Sequence, residues 1–153
     1  MKIRIDHLFN HPEHLQLVAG WIYNEFWTGK PGHSVETLEA RLRLAGDPDR
    51  VPLSLLALAD GQPAGTVNLV ENDNELRPQL RPWLAALLVV PGFRKHGIGS
   101  ALTRAIVEEA KRLGFSELFL GTDMPDFYIR LGAELHEQPS ESYCIMRFST
   151  DKT

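Results

Sequence analysis

The chain has a single cysteine, Cys144, among 153 residues. No internal disulfide can form, so the fold must be held by its core. Cys144 lies in an alternating apolar run, which reads as a buried, inert thiol. No apolar run approaches the ~20 residues that a membrane span needs. A basic excess is also missing: 16 Lys and Arg stand against 20 Asp and Glu, a formal net charge of −4. That balance argues against a nucleic-acid partner, which would call for a basic face. Met1 to Asp6 contain no hydrophobic signal region, so the expected compartment is the cytoplasm, with no membrane partner. No repeat, low-complexity tract or linker interrupts the chain. Its length suits one domain, residues 1–153, with a core of useful size. His7, His11 and His14 have no clustered Cys or carboxylate beside them, and no metal is expected.

What is present is concentrated between Leu84 and Leu113. The apolar run Leu84 to Val90 is too short for an ordinary helix and reads as a strand buried on both faces. Pro91 and Gly92 break it. Arg94, Lys95, His96, Gly97, Ile98, Gly99 and Ser100 follow. An amphipathic helix then carries Ile98, Ala101, Leu102, Ala105, Ile106, Ala110 and Leu113 at helical spacing. The first N–H groups of a helix have no intrahelical acceptor, and its dipole leaves positive charge there. Glycines without Cβ atoms admit an anion closely, and Arg94 and Lys95 add charge, so the turn describes a phosphate or pyrophosphate cradle. It is not a dinucleotide fingerprint, because Leu102 stands where the third glycine is needed. It is not a P-loop, because Gly-Lys-Ser/Thr is absent.

The rest of the chain supplies the frame. Lys2 to Leu8 alternates as a half-buried strand. A helix follows from Pro12 to about Trp27, carrying Leu15, Val18, Ala19, Ile22 and Phe26. Ser34 is a plausible N-cap for a second helix with Val35, Leu38, Leu42 and Ala45. Leu53 to Ala59 and Gln62 to Glu71 form a hairpin around Asp60-Gly61, and Asn72 to Pro82 is a loop. After the cradle helix, ended by Gly114, come a strand at Glu117 to Gly121, a short helix at Pro125 to Leu131, and strands at Ala133 to Glu137 and Ser142 to Phe148 about a turn at Gln138 to Glu141. The order β-α-α-β-β-β-α-β-α-β-β predicts an α+β domain, a central mixed, mostly antiparallel sheet flanked by helices.

Arg94-x-x-Gly97-x-Gly99, after a strand and opening a helix, resembles the acetyl-CoA-binding motif of the GNAT N-acetyltransferases. The element order is that of the same family. A second resemblance is Phe127-Tyr128-Ile129-Arg130-Leu131-Gly132-Ala133, where many members carry a tyrosine near the coenzyme sulfur. The likeness is strongest from Leu84 to Ala133. It implies direct transfer of acetyl from acetyl-CoA to a primary amine of a small molecule or peptide, with no metal. Tyr128 would be the general acid. Backbone N–H groups of Leu88, Val89 and Val90 would pair with the pantetheine arm, and Arg94 to Ser100 would hold the pyrophosphate, His96 through its main chain. Family members often dimerise, and the terminal strands offer an edge for a homodimer. The alternative is a non-catalytic acetyl-CoA-binding domain.

Trp83 to Val90 carries no acidic side chain to serve as general base. Glu71, Asp73, Glu75 and, on the first helix, Glu25 are the candidates; Glu75 is chosen because its loop borders the expected acceptor cleft. Trp21, Tyr23, Trp27 and Trp83 are the aromatic residues available to wall that cleft around a cationic amine.

Overall fold

A computed structural model describes residues 1–151. Seven strands form one sheet in the order β1-β2-β3-β4-β5-β7-β6. They are β1 (Ile3–His7), β2 (Leu53–Ala59), β3 (Gln62–Val70), β4 (Trp83–Val89), β5 (Glu117–Thr122), β6 (Glu134–Ser140) and β7 (Tyr143–Ser149). Every neighbouring pair is antiparallel except β4 and β5. The expected mixed α+β architecture is therefore present.

The uninterrupted apolar run of β2 follows from having both faces covered. Leu53, Leu55, Ala57 and Ala59 point to one side, where they pack with Ile98, Leu102, Ile106 and Ala110 of α3 (Ile98–Arg112). Leu56 and Leu58 point to the other, onto α1 (Leu15–Ile22) and α2 (Val35–Arg43). The first helix is shorter than its periodicity suggests: a 3₁₀ turn at Pro12–His14 precedes it and a π-helical turn at Tyr23–Trp27 follows. The short α4 (Pro125–Ile129) precedes β6. β6 runs on to Ser140, so the last turn is Glu141 and Ser142, later than the Gln138 to Glu141 expected.

Local chemistry sets several boundaries. Asp60 (φ 50°) and Gly61 (φ 85°) both adopt the left-handed conformation that a tight hairpin turn demands. Ser34 Oγ accepts from the Thr37 N–H at 3.1 Å, and Thr37 Oγ1 accepts from the Ser34 N–H at 2.9 Å, a reciprocal capping box for α2. Ser34→Ala is expected to cost about 1 kcal/mol, lowering the melting temperature by roughly 2–4 °C in a thermal scan.

The three early histidines each face a carboxylate, and His11 and His14 share Glu13. His7 Nε2 lies 2.6 Å from Glu109 Oε1 on α3, and His11 Nε2 lies 2.9 Å from Asp6. His14 stands 3.8 Å from Glu13. Among the described residues no three His, Cys, Asp or Glu side chains are grouped as metal ligands. No described helix is long and apolar enough to cross a membrane.

Candidate active site

β4 and β5 begin together and then part. Trp83 opposite Phe119 is their one ladder pair, supported by the Phe119 N–H donating to the Pro82 carbonyl at 3.0 Å. Trp83, Phe119 and Ile145 are fully buried together and pin this vertex, and the Trp83 indole N–H donates to the Leu80 carbonyl at 2.8 Å. Beyond it β4 carries a bulge. Ala86 and Leu87 together face the single residue Val67, and Ala86 takes φ 52°, unusual for a residue with a Cβ. A bulge sharpens local twist, which fits the point at which β4 turns away from β5. The run from Ala85 to Val90 is consequently half-buried. The strand expected to be buried on both faces has one edge open.

Which backbone groups face that gap follows from the β3 ladder. The Val90 N–H donates to the Ala64 carbonyl at 2.8 Å. Strand alternation turns Leu88, opposite Thr66, the same way and Val89 the other way. Of the three donors expected for a pantetheine arm, only Val89 therefore points into the gap. Leu88 and Val90 are used within the sheet.

At the end of β4 the chain enters the cradle. Arg94 Nε donates to the Val89 carbonyl at 3.1 Å, tying the turn to the strand. Lys95 (φ 68°) and Gly97 (φ 76°) are both left-handed, which folds the turn tightly into the start of α3. Ile98, Gly99 and Ser100 begin the helix, with N–H groups that lack intrahelical acceptors. A Cβ added at Gly97 would meet no protein atom within 4 Å. The space in front of the turn is open, and Arg94, Lys95 and His96 around it are exposed. The donor set, backbone N–H groups with two adjacent cations, fits a pyrophosphate.

Where β4 and β5 part, beyond the vertex, lies a cleft of about 1130 Å³. Its floor is β4 from Leu84 to Leu87, with Ser54, Asn68 and Val70. One wall comes from α1, α2 and their connection, including Glu25, Trp27, Lys30 and Arg41. The opposite wall comes from Asp73, Asp123, Tyr128 and Tyr143. Ser54 Oγ donates to Asn68 Oδ1 at 2.6 Å across the buried floor.

Tyr128 is placed by α4 and held by the turn that ends it. The Leu131 and Ala133 N–H groups both donate to the Tyr128 carbonyl at 3.0 Å, and Gly132 takes φ 105° to allow this. Phe127 stacks edge-on against the Tyr128 ring, with 4.9 Å between centroids. Burial pushes the Tyr128 hydroxyl up to about 12. Desolvation also raises the Asp73 carboxyl above the usual aspartate range. Asp73 retains substantial accessible surface, so the crowding of the cleft mouth around it, rather than full enclosure, is the cause. Burial pushes Tyr143 up as well; a hydrogen bond from Asn74 opposes this and the nearby Asp73 charge adds to it. A Cβ at Gly121 would sit 1.9 Å from the Tyr143 hydroxyl, so the tyrosine reaches the cleft only because position 121 is glycine.

The loop carrying Asp73 is fixed at both ends. Asn72 Nδ2 donates to the Arg77 and Leu80 carbonyls at 3.0 and 3.1 Å. Arg77 makes a two-pronged ion pair with Glu137 on β6, its Nε at 2.9 Å from Oε1.

The model of the acetyltransferase (GNAT) family matches residues 20–133. The chain belongs to that family. No curated protein matches the sequence at a significant level. Solved structures share the whole fold of this GNAT domain at low identity. The GNAT-family acetyltransferase of Streptococcus pneumoniae is 19% identical with a TM-score of 0.68, covering 97% of this chain and 99% of its own. An aminoglycoside 6'-N-acetyltransferase complexed with coenzyme A is 15% identical, with a TM-score of 0.72 over 100% and 99%. The PaiA N-acetyltransferase of Thermoplasma acidophilum, in complex with coenzyme A, is 22% identical, with a TM-score of 0.61 over 97% and 99%.

Within this GNAT domain the residues singled out from sequence separate. Tyr128, Asp73, Glu25 and Trp27 line the cleft. Glu75 is exposed on the same loop but is not part of the lining, and Glu71 is ion-paired with Arg81. Trp83 belongs to the buried vertex, while Trp21 and Tyr23 pack beneath α1 and α2. Lys30, Arg41, Asp123 and Tyr143 were not anticipated. They are isolated polar or aromatic residues on separate elements, and only the fold brings them to one cleft.

Proposed function

We propose that the protein is an N-acetyltransferase that uses acetyl-CoA to acetylate a primary amine by direct attack in the β4–β5 cleft. The observation that carries this reading is the opening of β4 from β5 immediately after Trp83 opposite Phe119, with Tyr128 on one side and the cradle of α3 at its end. When bound, acetyl-CoA supplies an activated thioester, from which the amine takes the acetyl group and CoA leaves as the thiol.

The protein's own groups divide the remaining work. The α3 cradle, from Arg94 to Ser100, holds the pyrophosphate through main-chain N–H groups and the Arg94 and Lys95 charges. The Val89 N–H, unused in the β3 ladder, is the strand donor to the coenzyme arm. Tyr128 directs its hydroxyl proton at the departing sulfur. A phenol near 12 is a weaker acid than an ordinary thiol, at about 8.5, so complete equilibrium transfer would be uphill by on the order of 5 kcal/mol. Tyr128 therefore acts chiefly as a hydrogen-bond donor to developing charge on sulfur. The proton that finally neutralises the thiolate comes from the amine, which becomes strongly acidic once its nitrogen has attacked.

Asp73, rather than Glu75, is the base in this reading, taking the first proton, which the ammonium group must lose before it attacks, because it lines the cleft and desolvation raises its proton affinity. The base works in its ionised form, so activity is lost as pH falls through the Asp73 pKa. Because that pKa is raised, the acid limb of kcat/KM lies above the ordinary aspartate value. Asp73→Asn is expected to lower kcat/KM by roughly 10²-fold and abolish that limb, whereas Glu75→Gln leaves the profile in place. A profile changed by Glu75→Gln but not by Asp73→Asn reverses the assignment.

Free-thiol release from acetyl-CoA in the presence of a panel of primary amines tests the function. Acceptor-dependent thiol supports the transferase. Acetyl-CoA binding with no acceptor-dependent thiol supports a non-catalytic binding domain instead.

A further inference from the structure

The cleft's two walls differ in charge. Asp73 and Asp123 stand on the Tyr128 side, whereas the helical side carries two cations, Lys30 and Arg41, against one carboxylate, Glu25. The two cations are gathered by one aromatic ring: Lys30 Nζ lies 5.1 Å and Arg41 Cζ 5.8 Å from the Trp27 ring centroid. Cation–π attraction of this kind holds a long, flexible cation in place without neutralising it. Among the described residues neither is in an ion pair, although Arg43, two residues after Arg41 on the same helix, is paired with Glu39. An acceptor site for a polycation would not present two unneutralised cations to its ligand. Between the charged walls the surface is apolar, and Phe26, Leu44 and Met124 are large hydrophobic side chains left exposed at its rim.

Resting on the acyl-transfer reading above, we infer that the acceptor is a small amino carboxylate with an apolar body. Its amine goes to the Asp73 and Tyr128 side, its carboxylate to Lys30 and Arg41, and its hydrocarbon part lies against the rim. Complementary charge at both ends fixes which end of the molecule meets the thioester. A polyamine is disfavoured because its second cation would face Lys30 and Arg41.

Matched acceptor pairs test this: phenylalanine against phenethylamine, 6-aminohexanoate against hexylamine, with spermidine as the polycation. In at least one pair the carboxylate-bearing member is expected to have a kcat/KM higher by roughly tenfold, the combined effect of two solvent-facing cations. Isothermal titration of the CoA-saturated protein should show the same order of affinity without turnover. The double variant Lys30→Gln/Arg41→Gln is expected to bring that ratio close to one, and Lys30→Glu/Arg41→Glu to turn it towards the uncharged amines and spermidine. Equal use of both members of every pair, or a preference of the native protein for spermidine, overturns the inference and leaves acetyl transfer standing. Failure of every amine to give acceptor-dependent thiol overturns both.

Discussion

Tyr128→Phe is expected to lower kcat by roughly 10- to 100-fold while leaving acetyl-CoA affinity nearly unchanged. The substitution removes one oxygen from a ring that stays in place, since Phe127 and the turn through Gly132 hold α4 without using the hydroxyl. What is lost is one hydrogen bond to a group that becomes charged, worth about 1.5–3 kcal/mol. An obligatory proton source would cost more, up to about 10⁴-fold. The size of the effect therefore separates the two roles. With burial holding the hydroxyl near 12, the smaller loss is the expected one. Because Tyr128 must stay protonated, its own titration should not appear as an alkaline limb below about pH 11. Full activity of the variant would remove Tyr128 from the mechanism.

Gly65→Val is expected to destabilise the protein by about 3 kcal/mol or more, lowering the melting temperature by roughly 10 °C. Valine favours strands, and propensity alone predicts a gain. Packing reverses the sign. A Cβ at position 65 would lie 2.7 Å from the Leu88 carbonyl oxygen and 3.1 Å from Leu102 Cδ1. The carbonyl belongs to the β3–β4 ladder beside the bulge, and Leu102 is fully buried in α3. Neither can move without disturbing the strand that opens the cleft or the helix that forms the cradle. A melting temperature at or above that of the native chain would show that this contact between β3 and α3 is softer than described.

The parts of the fold legible in the sequence are those fixed by neighbours in the chain. Asp60-Gly61, the Ser34 cap, the strand Leu53–Ala59 and the Gly97–Gly99 entry to α3 each carry their own local chemistry, and each appears in place. What was not legible depends on distant pairing. Nothing about alanine at position 86 announces a left-handed bulge; it arises because Thr66 and Asn68 pair with Leu88 and Ala85 across one extra residue. The apolar run of β4 looks the same whether both edges are covered or one is open to a ligand. The difference between Asp73 and Glu75, two positions apart, is made by Asn72 folding the loop and by Arg77 reaching Glu137 sixty residues away. Trp83 and Trp27 are alike as residues, yet one closes the vertex and the other faces the cleft.

Direct transfer is most immediately tested by a single turnover with enzyme in excess, using acetyl-CoA labelled in its acetyl group and one competent amine. Mass spectrometry of quenched samples follows the label on the amine and on the protein. The β4–β5 cleft account predicts that the label passes to the amine nitrogen in step with thiol release, and that intact protein never gains an acetyl group. A labelled protein that forms before the acetylated amine and decays into it would contradict the account.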